Sequence, residues 1–232
     1  MAVVVSDIDE AGGRQTVDAI EASGGRAVFF QMDVRRASEA EQLIAFAEQT
    51  FGGLDLLINN ASAPTGDLAI ESWIDAIETD LLGAMHMTRC AVASMRRRGG
   101  GAIVNMASIS ALWHGRKTPG GIAGYDVAKA GMIRMTSRLA PLAESDHIRV
   151  NCLAPGWIGT DEVRSYWESL TPEERLLRGV PTKLLSTEQI CDAVVRLATA
   201  PSLAGRVLVW WSEHEPQLIE WGDRGYRRLE SF

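Results

Sequence analysis

Short apolar runs alternate along the chain with stretches in which apolar residues recur every three to four positions. The runs predict buried strands, and the periodic stretches predict amphipathic helices. Strands are expected at residues 2–5, 26–31, 54–58, 102–106, 148–152 and 206–211. Because strands that alternate with helices form parallel βαβ units, the pattern predicts an α/β fold built on a parallel sheet.

Helices are expected between these strands. They are predicted at residues 10–22, from a Ser38/Glu41 capping box to Phe51, along an apolar stripe from Trp73 to Met95, from Tyr125 to residue 145, from Thr171, and after a Ser186/Gln189 capping box. Residues 212–232 form a polar tail with no period. Since the chain contains no linker, repeat or low-complexity segment, residues 1–232 are expected to form a single domain.

Composition narrows the possible partners. The net charge of −7 argues against a nucleic-acid surface. The only basic run, residues 96–98, precedes Gly99 and is interpreted as the end of a helix, where cations meet the dipole before a glycine stop. No apolar run is long enough to span a membrane, and no signal sequence is visible, so the protein is expected in the cytoplasm, without a membrane partner.

The metal-ligating residue types show no ligand spacing. The three cysteines, Cys90, Cys152 and Cys191, lie far apart in the sequence, and the four histidines form no motif. This pattern indicates reduced thiols rather than a disulfide framework, and no metal site.

Tyr125, Lys129 and Ser108 form the main candidate site. Residues four apart share a helix face, so Lys129 is expected beside Tyr125. A positive charge about 5 Å from a phenol favours the phenolate by about 3 kcal/mol, which corresponds to a pKa roughly 2 units lower. Such a tyrosine could exchange a proton with an alcohol while Ser108 held the same oxygen. Taken alone, the Tyr-x-x-x-Lys spacing also fits an ordinary helix face with a solvated lysine.

Four further segments surround this pair in the order and at nearly the spacing of a known family. They are Leu54-Asp55-Leu56-Leu57-Ile58-Asn59-Asn60-Ala61-Ser62, Ala102-Ile103-Val104-Asn105-Met106-Ala107-Ser108, Asn151-Cys152-Leu153-Ala154-Pro155-Gly156-Trp157-Ile158-Gly159-Thr160 and Met32-Asp33-Val34. Together with Tyr125 and Lys129 they resemble the short-chain dehydrogenases/reductases. In the first segment serine replaces the family's final glycine.

The resemblance implies a Rossmann-type doubly wound parallel sheet that binds NAD(P) at the carboxyl ends of its strands. Tyr125 would be the acid/base, Lys129 would lower its pKa and hold the nicotinamide ribose, and Ser108 would orient the substrate oxygen. The remaining cofactor contacts implied are Asp33 and Val34 beside the adenine, Asn60 and Ala61 along the backbone, and Pro155, Gly156, Ile158 and Thr160 beside the nicotinamide and phosphates. For Asn59 and Asn60, closing a turn is the alternative.

Asp7 ends the first predicted strand. In the family, a carboxylate at this position accepts hydrogen bonds from the adenosine ribose and repels a 2′-phosphate. No Arg or Lys precedes Arg14 to neutralise it. NAD is therefore favoured over NADP.

The largest departure from the family is the absence of its Gly-x-x-x-Gly-x-Gly turn. The first strand, this turn and the first helix are expected to be missing, through a late start site or a truncated product, so that the chain as given binds NAD weakly. The competing interpretation is that the flanking strands close up and leave a non-binding remnant.

Two smaller departures concern Asp80 and the segment before Tyr125. Asp80 stands where the family usually has an Asn that supports a proton-relay water, so the resemblance places it among the catalytic residues. Its carboxylate near Lys129 is expected to cancel part of the pKa lowering of Tyr125. Residues 115–121 lengthen the segment before Tyr125, either as a loop at the substrate mouth or as surface decoration.

The resulting hypothesis is an NAD-dependent oxidoreductase that interconverts a small secondary alcohol and a ketone, with Tyr125 as acid/base. Residues 161–182, rich in apolar side chains, are expected to form a lid over a hydrophobic or ring-shaped substrate. The apolar stripe of the long helix predicts a homodimer or homotetramer. The alternative is a catalytically silent protein that keeps the fold for subunit association.

Overall fold

The computed structural model describes residues 1–64, 70–113 and 123–222. Its strands are β1 (Ala2–Asp7), β2 (Arg26–Gln31), β3 (Leu56–Asn59), β4 (Gly101–Met106), β5 (Ile148–Pro155), β6 (Val207–Trp210) and β7 (Gln217–Leu218). Its helices are α1 (Glu10–Ala22), α2 (Ala37–Phe51), α3 (Ile70–Ala76), α4 (Ala84–Arg98), α5 (Ala123–Arg138), α6 (Leu142–Ser145), α7 (Asp161–Glu168), α8 (Pro172–Arg178) and α9 (Thr187–Thr199). A π-helical turn (Ile77–Gly83) joins α3 to α4, and a 3₁₀ turn (Ile109–Leu112) follows β4.

The strands form two sheets. β1 pairs in parallel with β2, and the second sheet has the order β3-β4-β5-β6-β7, parallel except for β7. The predicted α/β fold with a parallel sheet is thus confirmed. β7 lies in the tail for which the sequence predicted no element, because a two-residue strand is too short to show a period.

The two sheets lie side by side. Val4 of β1 and Leu57 of β3 pack against the same buried cluster, which includes Leu43 and Ile103, yet β1 and β3 share no ladder in the described residues. The competing expectation that the strands close up is therefore not met. The described structure begins with a strand at Ala2–Asp7, so the predicted N-terminal truncation is not confirmed.

Several helix boundaries follow the predicted signals. Thr171 and Ser186 form capping boxes with Glu174 and Gln189. The helix α4 ends after Arg96–Arg98 at Gly99, which has φ 86°, as the glycine stop predicts.

Two predicted boundaries are wrong. The Ser38/Glu41 capping box does not form, because the N-cap of α2 is Arg36, two residues before Ser38. Glu39 instead accepts a hydrogen bond from the Asp33 backbone N–H at 2.7 Å. The Tyr125 helix ends at Arg138 rather than residue 145, since Pro141 has no N–H to continue it.

The helices cover both faces of the larger sheet. On one face α2 and α4 enclose the cluster around Ile103 and Val150, and on the other α9 packs on Val104 and Leu153. In the described ranges no helix has the length and apolar character needed to cross a membrane.

Two glycines bring α5 close to the helices before β4. A Cβ at Gly124 would lie 2.4 Å from the Trp73 Cα, and one at Gly131 would lie 2.8 Å from the Leu81 side chain. Through these close contacts α5, which carries Lys129, packs against the π-helical turn.

Candidate active site

The carboxyl ends of β3, β4 and β5 meet at one edge of the sheet, because the three strands are parallel neighbours. The predicted site residues that follow these strands therefore lie along one edge. Ser108 comes two residues after β4, and Tyr125 and Lys129 come from α5, which packs beside β4 and β5.

The structure brings Ser108 and Tyr125 together. Ser108 has extended backbone (φ −155°) and its Oγ accepts a hydrogen bond from the Ser110 N–H at 3.2 Å. The same hydroxyl forms a hydrogen bond with the Tyr125 phenol. The predicted contact of Ser108 with a substrate oxygen stays a prediction.

Lys129 lies over the face of the tyrosine ring. Its Nζ is 5.3 Å from the centroid of the Tyr125 ring and donates to the Met106 carbonyl at 3.0 Å. The residue is only 3% exposed. A buried ammonium requires a counterion.

That counterion is Asp80. Its Oδ2 lies 3.0 Å from Lys129 Nζ, and the carboxylate is fully buried. Asp80 also accepts two hydrogen bonds from the segment after β3, from the Ser62 hydroxyl and the Ala63 N–H, both at 2.7 Å. The π-helical turn carries Asp80, and such turns are frequent at functional sites.

The expected lowering of the Tyr125 pKa is wrong for this structure. Burial raises the pKa of Tyr125, the Ser108 hydrogen bond lowers it, and the negative charges of Asp80 and Asp126 raise it further. Lys129 does not reverse this because its charge is paired with Asp80. The expectation that Asp80 works against the lowering of the Tyr125 pKa is confirmed.

Sequence reasoning missed a buried polar network below the site. Asn59 Nδ2 donates to Thr88 Oγ1 at 3.1 Å and to Asn105 Oδ1 at 2.8 Å, and Asn105 Nδ2 donates to Thr136 Oγ1 at 2.9 Å. The Asn59 side chain thus joins β3 to β4 and α4 instead of closing a turn. Asn59 and Asn105 are polar positions in otherwise apolar strands, and this pattern could have indicated the buried network.

The segment after β5 is fixed from two sides. The Trp157 N–H donates to Ser212 Oγ at 2.9 Å, and Ile158 pairs with Leu185. Gly156 lies so close to Ser212 that a Cβ would be 2.5 Å from its Oγ. Thr160 is exposed and begins α7 without capping it, which leaves its hydroxyl accessible.

Asp7 ends β1 and is exposed, with its Oδ1 accepting a hydrogen bond from the Asp9 N–H at 2.9 Å. Asn60 and Ala61 are exposed at the end of β3.

Asp33 is held by Arg35, whose Nη2 and Nε contact the carboxylate at 2.7 and 2.9 Å. Arg35 thereby lowers the pKa of Asp33. Val34 packs against Gly83 of the π-helical turn.

The predicted lid contains α7 and α8. Trp167 stacks under the Arg175 guanidinium at 3.5 Å and donates to the Pro181 carbonyl at 2.8 Å. Leu170 is buried, whereas Leu176 and Leu177 are 84% and 88% exposed. The inserted residues 115–121 lie outside the described residues. Within the described part of the chain, no group of three or more His, Cys, Asp or Glu side chains could hold a metal ion.

Comparison with known proteins identifies the family. Residues 1–171 match the family model described as short chain dehydrogenase. This chain belongs to the short-chain dehydrogenase/reductase family. It is 30% identical over 198 residues to dehydrogenase/reductase SDR family member 4 of Oryctolagus cuniculus, covering 83% of this chain and 75% of that protein.

Two further family members widen the comparison. The acetoacetyl-CoA reductase of Rhizobium meliloti (strain 1021) is 34% identical over 194 residues, covering 82% of this chain and 78% of that protein. A solved structure of a 7α-hydroxysteroid dehydrogenase complexed with NADH and 7-oxo glycochenodeoxycholic acid has a TM-score of 0.77 at 28% identity, covering 91% of this chain and 83% of that chain. The chain is thus an oxidoreductase with a Rossmann-like fold, and nothing in these comparisons favours the silent alternative.

Proposed function

We propose that this chain interconverts a secondary alcohol and a ketone with NAD as the hydride carrier. The observation that carries the proposal is the meeting of Ser108, Tyr125 and Lys129 at the carboxyl edge of a parallel sheet. This arrangement supplies a hydroxyl that can bind a substrate oxygen and a phenol that can exchange a proton with it.

In this mechanism Ser108 donates a hydrogen bond to the substrate oxygen and holds it beside the Tyr125 hydroxyl. During reduction Tyr125 gives its proton to that oxygen, and during oxidation the phenolate takes the proton back. The nicotinamide, when bound, supplies or accepts the hydride at the substrate carbon. Lys129 uses two of its N–H donors on Met106 and Asp80 and keeps a third for the nicotinamide ribose.

The described residues fit the two ends of NAD better than its centre. Besides Lys129, the residues proposed to contact the cofactor are Asp7, Asp33, Val34, Asn60, Ala61, Pro155, Gly156, Ile158 and Thr160. The pyrophosphate needs free backbone N–H groups, such as those at a helix N-terminus. At the N-terminus of α1, however, the Asp9 side chain already accepts hydrogen bonds from the Ala11 and Gly12 N–H groups. The first turn of α7 carries Asp161 and Glu162, which repel an anion.

We therefore expect this chain to bind NAD weakly, with a dissociation constant in the millimolar range. The reason is that each charge-assisted hydrogen bond to the pyrophosphate is worth about 1.5–3 kcal/mol, and losing two weakens binding roughly a hundredfold or more. Calorimetry measures this directly. Micromolar binding would contradict the expectation.

NAD is proposed over NADP because of Asp7. Arg14 is the first basic residue after Asp7 in the sequence. It forms an ion pair with Glu10 at 2.7 Å and does not neutralise Asp7. Replacing Asp7 with Ser should narrow the ratio of NAD to NADP turnover by about tenfold, since one repulsive charge is removed. The matched control is Asp18→Ser, on the exposed side of α1. An unchanged ratio in the Asp7 variant would count against its role.

For the substrate we propose an apolar, ring-containing molecule. The support is the exposed Leu176 and Leu177 of α8 and the paired rings of Trp113 and Trp211, whose centroids lie 5.6 Å apart. In this proposal residues 161–182 act as the lid.

We also propose a homodimer or homotetramer. Exposed apolar side chains occur on α3, the π-helical turn, α4 and α5, elements that pack against one another: Trp73, Ile74, Leu82, Met85 and Val127. Because exposed apolar faces favour association, light scattering at micromolar concentration should show an oligomer, and Leu82→Glu with Met85→Glu should dissociate it. Leu176→Glu is the control that should not. A monomeric wild-type chain would contradict this prediction.

The direct test of the function is turnover with millimolar NAD(H) or NADP(H). A suitable panel is cyclohexanone, acetoacetyl-CoA and a 7-oxo bile acid, with the corresponding alcohols for the reverse direction. Change in nicotinamide absorbance with one carbonyl or alcohol supports the proposal. No turnover with any of them in either direction would overturn it.

A further inference from the structure

The Asp80 carboxylate is the most completely bonded charge in the site. It is 1% exposed and receives Lys129, the Ser62 hydroxyl and the Ala63 N–H. These donors come from α5 and from the segment after β3, while Asp80 itself lies on the π-helical turn. One carboxylate thus ties together three parts of the chain that border the proposed cofactor site.

The pairing also neutralises the ammonium ion that lies over the tyrosine ring. Lys129 and Asp80 both lie out of water, where a charge acts more strongly on its neighbours than it does at the surface. Lys129 stands over the Tyr125 ring, and the Asp80 charge opposes it. The tyrosine therefore faces a nearly neutral pair in place of a free ammonium ion.

In the part of the chain that the structure describes, the other groups around Tyr125 do not replace the lost positive charge. On α5 itself, Asp126 adds a further negative charge. From β5, the Cys152 thiol is buried, and burial raises its pKa to about 12, so it stays neutral. The strands β4 and β6 and the 3₁₀ turn, which also pack on α5, contain no ionisable side chain.

The remaining charges on the packed elements lie elsewhere. Asp75 of α3 is 3.7 Å from Arg35, and Glu78 of the π-helical turn also acts on Arg35. Arg149 of β5 donates to the Ala198 carbonyl. Within the described residues, Asp80 is thus the charge that pairs directly with Lys129 and opposes it at Tyr125.

We propose that Asp80 is a positioning residue that cancels the charge of Lys129 and so keeps Tyr125 in the protonated form, ready to give its proton to a ketone at neutral pH. The proposal rests on the function proposed above. It assigns the chain a specific pH behaviour: reduction proceeds at neutral pH, and oxidation of the alcohol requires alkaline pH. The overall equilibrium between ketone and alcohol is unaffected, since it depends only on the reactants.

The first test is a titration that does not depend on turnover. In a chain carrying Tyr166→Phe and Tyr226→Phe, Tyr125 is the only tyrosine, so its phenolate can be followed by ultraviolet difference absorbance. Asp80→Asn keeps the shape of the side chain and removes its charge. It should lower the midpoint of the Tyr125 titration by about one pH unit. An unchanged or higher midpoint overturns the proposal.

Ser62→Ala is the matched control. It removes a hydrogen bond to Asp80 but leaves the ion pair with Lys129. The midpoint should then stay in place. A downward shift as large as that of Asp80→Asn would mean that loop position, and not charge, acts on Tyr125, and would also overturn the proposal.

A double variant covers the case in which Asp80→Asn does not fold because Lys129 is left buried and unpaired. Lys129→Met with Asp80→Asn removes both charges, a replacement that buried pairs often tolerate. If Asp80 cancels Lys129, the Tyr125 midpoint of the double variant should match that of the wild type to within about half a pH unit. A midpoint higher by a full unit would show that Lys129 acts uncancelled, against the proposal.

Turnover provides the second readout. In Asp80→Asn the pH profile of alcohol oxidation should move to lower pH, raising kcat at pH 7 by about tenfold with little change in KM. If the wild-type chain shows no turnover with any substrate, the proposed function fails, while the titration still decides the role of Asp80.

Discussion

Replacing Tyr125 with phenylalanine is expected to reduce turnover by a factor of about 10²–10⁴, which is the usual contribution of a general acid or base. Only the ionisable oxygen is lost, so cofactor affinity should remain nearly unchanged. The measurement is steady-state kinetics beside calorimetric binding of NAD. Tyr226→Phe is the matched control, because Tyr226 belongs to the polar C-terminal tail and to none of the segments proposed for the site. More than a tenth of the activity remaining in Tyr125→Phe would refute the assignment.

Replacing Lys129 with methionine is expected to lower the free energy of unfolding by about 3–5 kcal/mol, because it leaves the Asp80 carboxylate buried without its counterion. Urea denaturation followed by circular dichroism measures the change. Lys183→Met, at an exposed position, is the control and should change stability by less than about 0.5 kcal/mol.

Adding Asp80→Asn to the Lys129→Met chain should restore most of the lost stability, since the double variant buries no unpaired charge. The comparison separates the cost of an orphaned carboxylate from the loss of lysine packing. If the single and double variants are equally unstable, the ion pair is not what stabilises this part of the fold.

Local signals predicted the elements of the fold well. The alternation of apolar runs and periodic stretches predicted β1 to β6 with small boundary errors, and the capping boxes at Thr171 and Ser186 formed as predicted. These features depend on residues only a few positions apart, so the sequence determines them directly. The family motifs likewise located Ser108, Tyr125 and Lys129, which the structure then brought to one edge of the sheet.

The pattern of apolar and polar positions does not predict contacts between residues that lie far apart in the sequence. The π-helical turn does not show in a 3.6-residue period. The close contacts of Gly124 and Gly131 with Trp73 and Leu81 likewise join residues that lie far apart in the sequence.

The sequence alone determined the α/β class, the order of the elements, the acidic charge and the residues able to exchange a proton with an alcohol. Tertiary structure decided the electrostatics of those residues. Burial raises the pKa of Tyr125. Lys129, which the helical spacing predicted would stabilise the phenolate, forms an ion pair with Asp80 instead. The physical reason is that a pKa depends on solvent exclusion and on charges a few ångströms away, and these depend on which distant segments pack together.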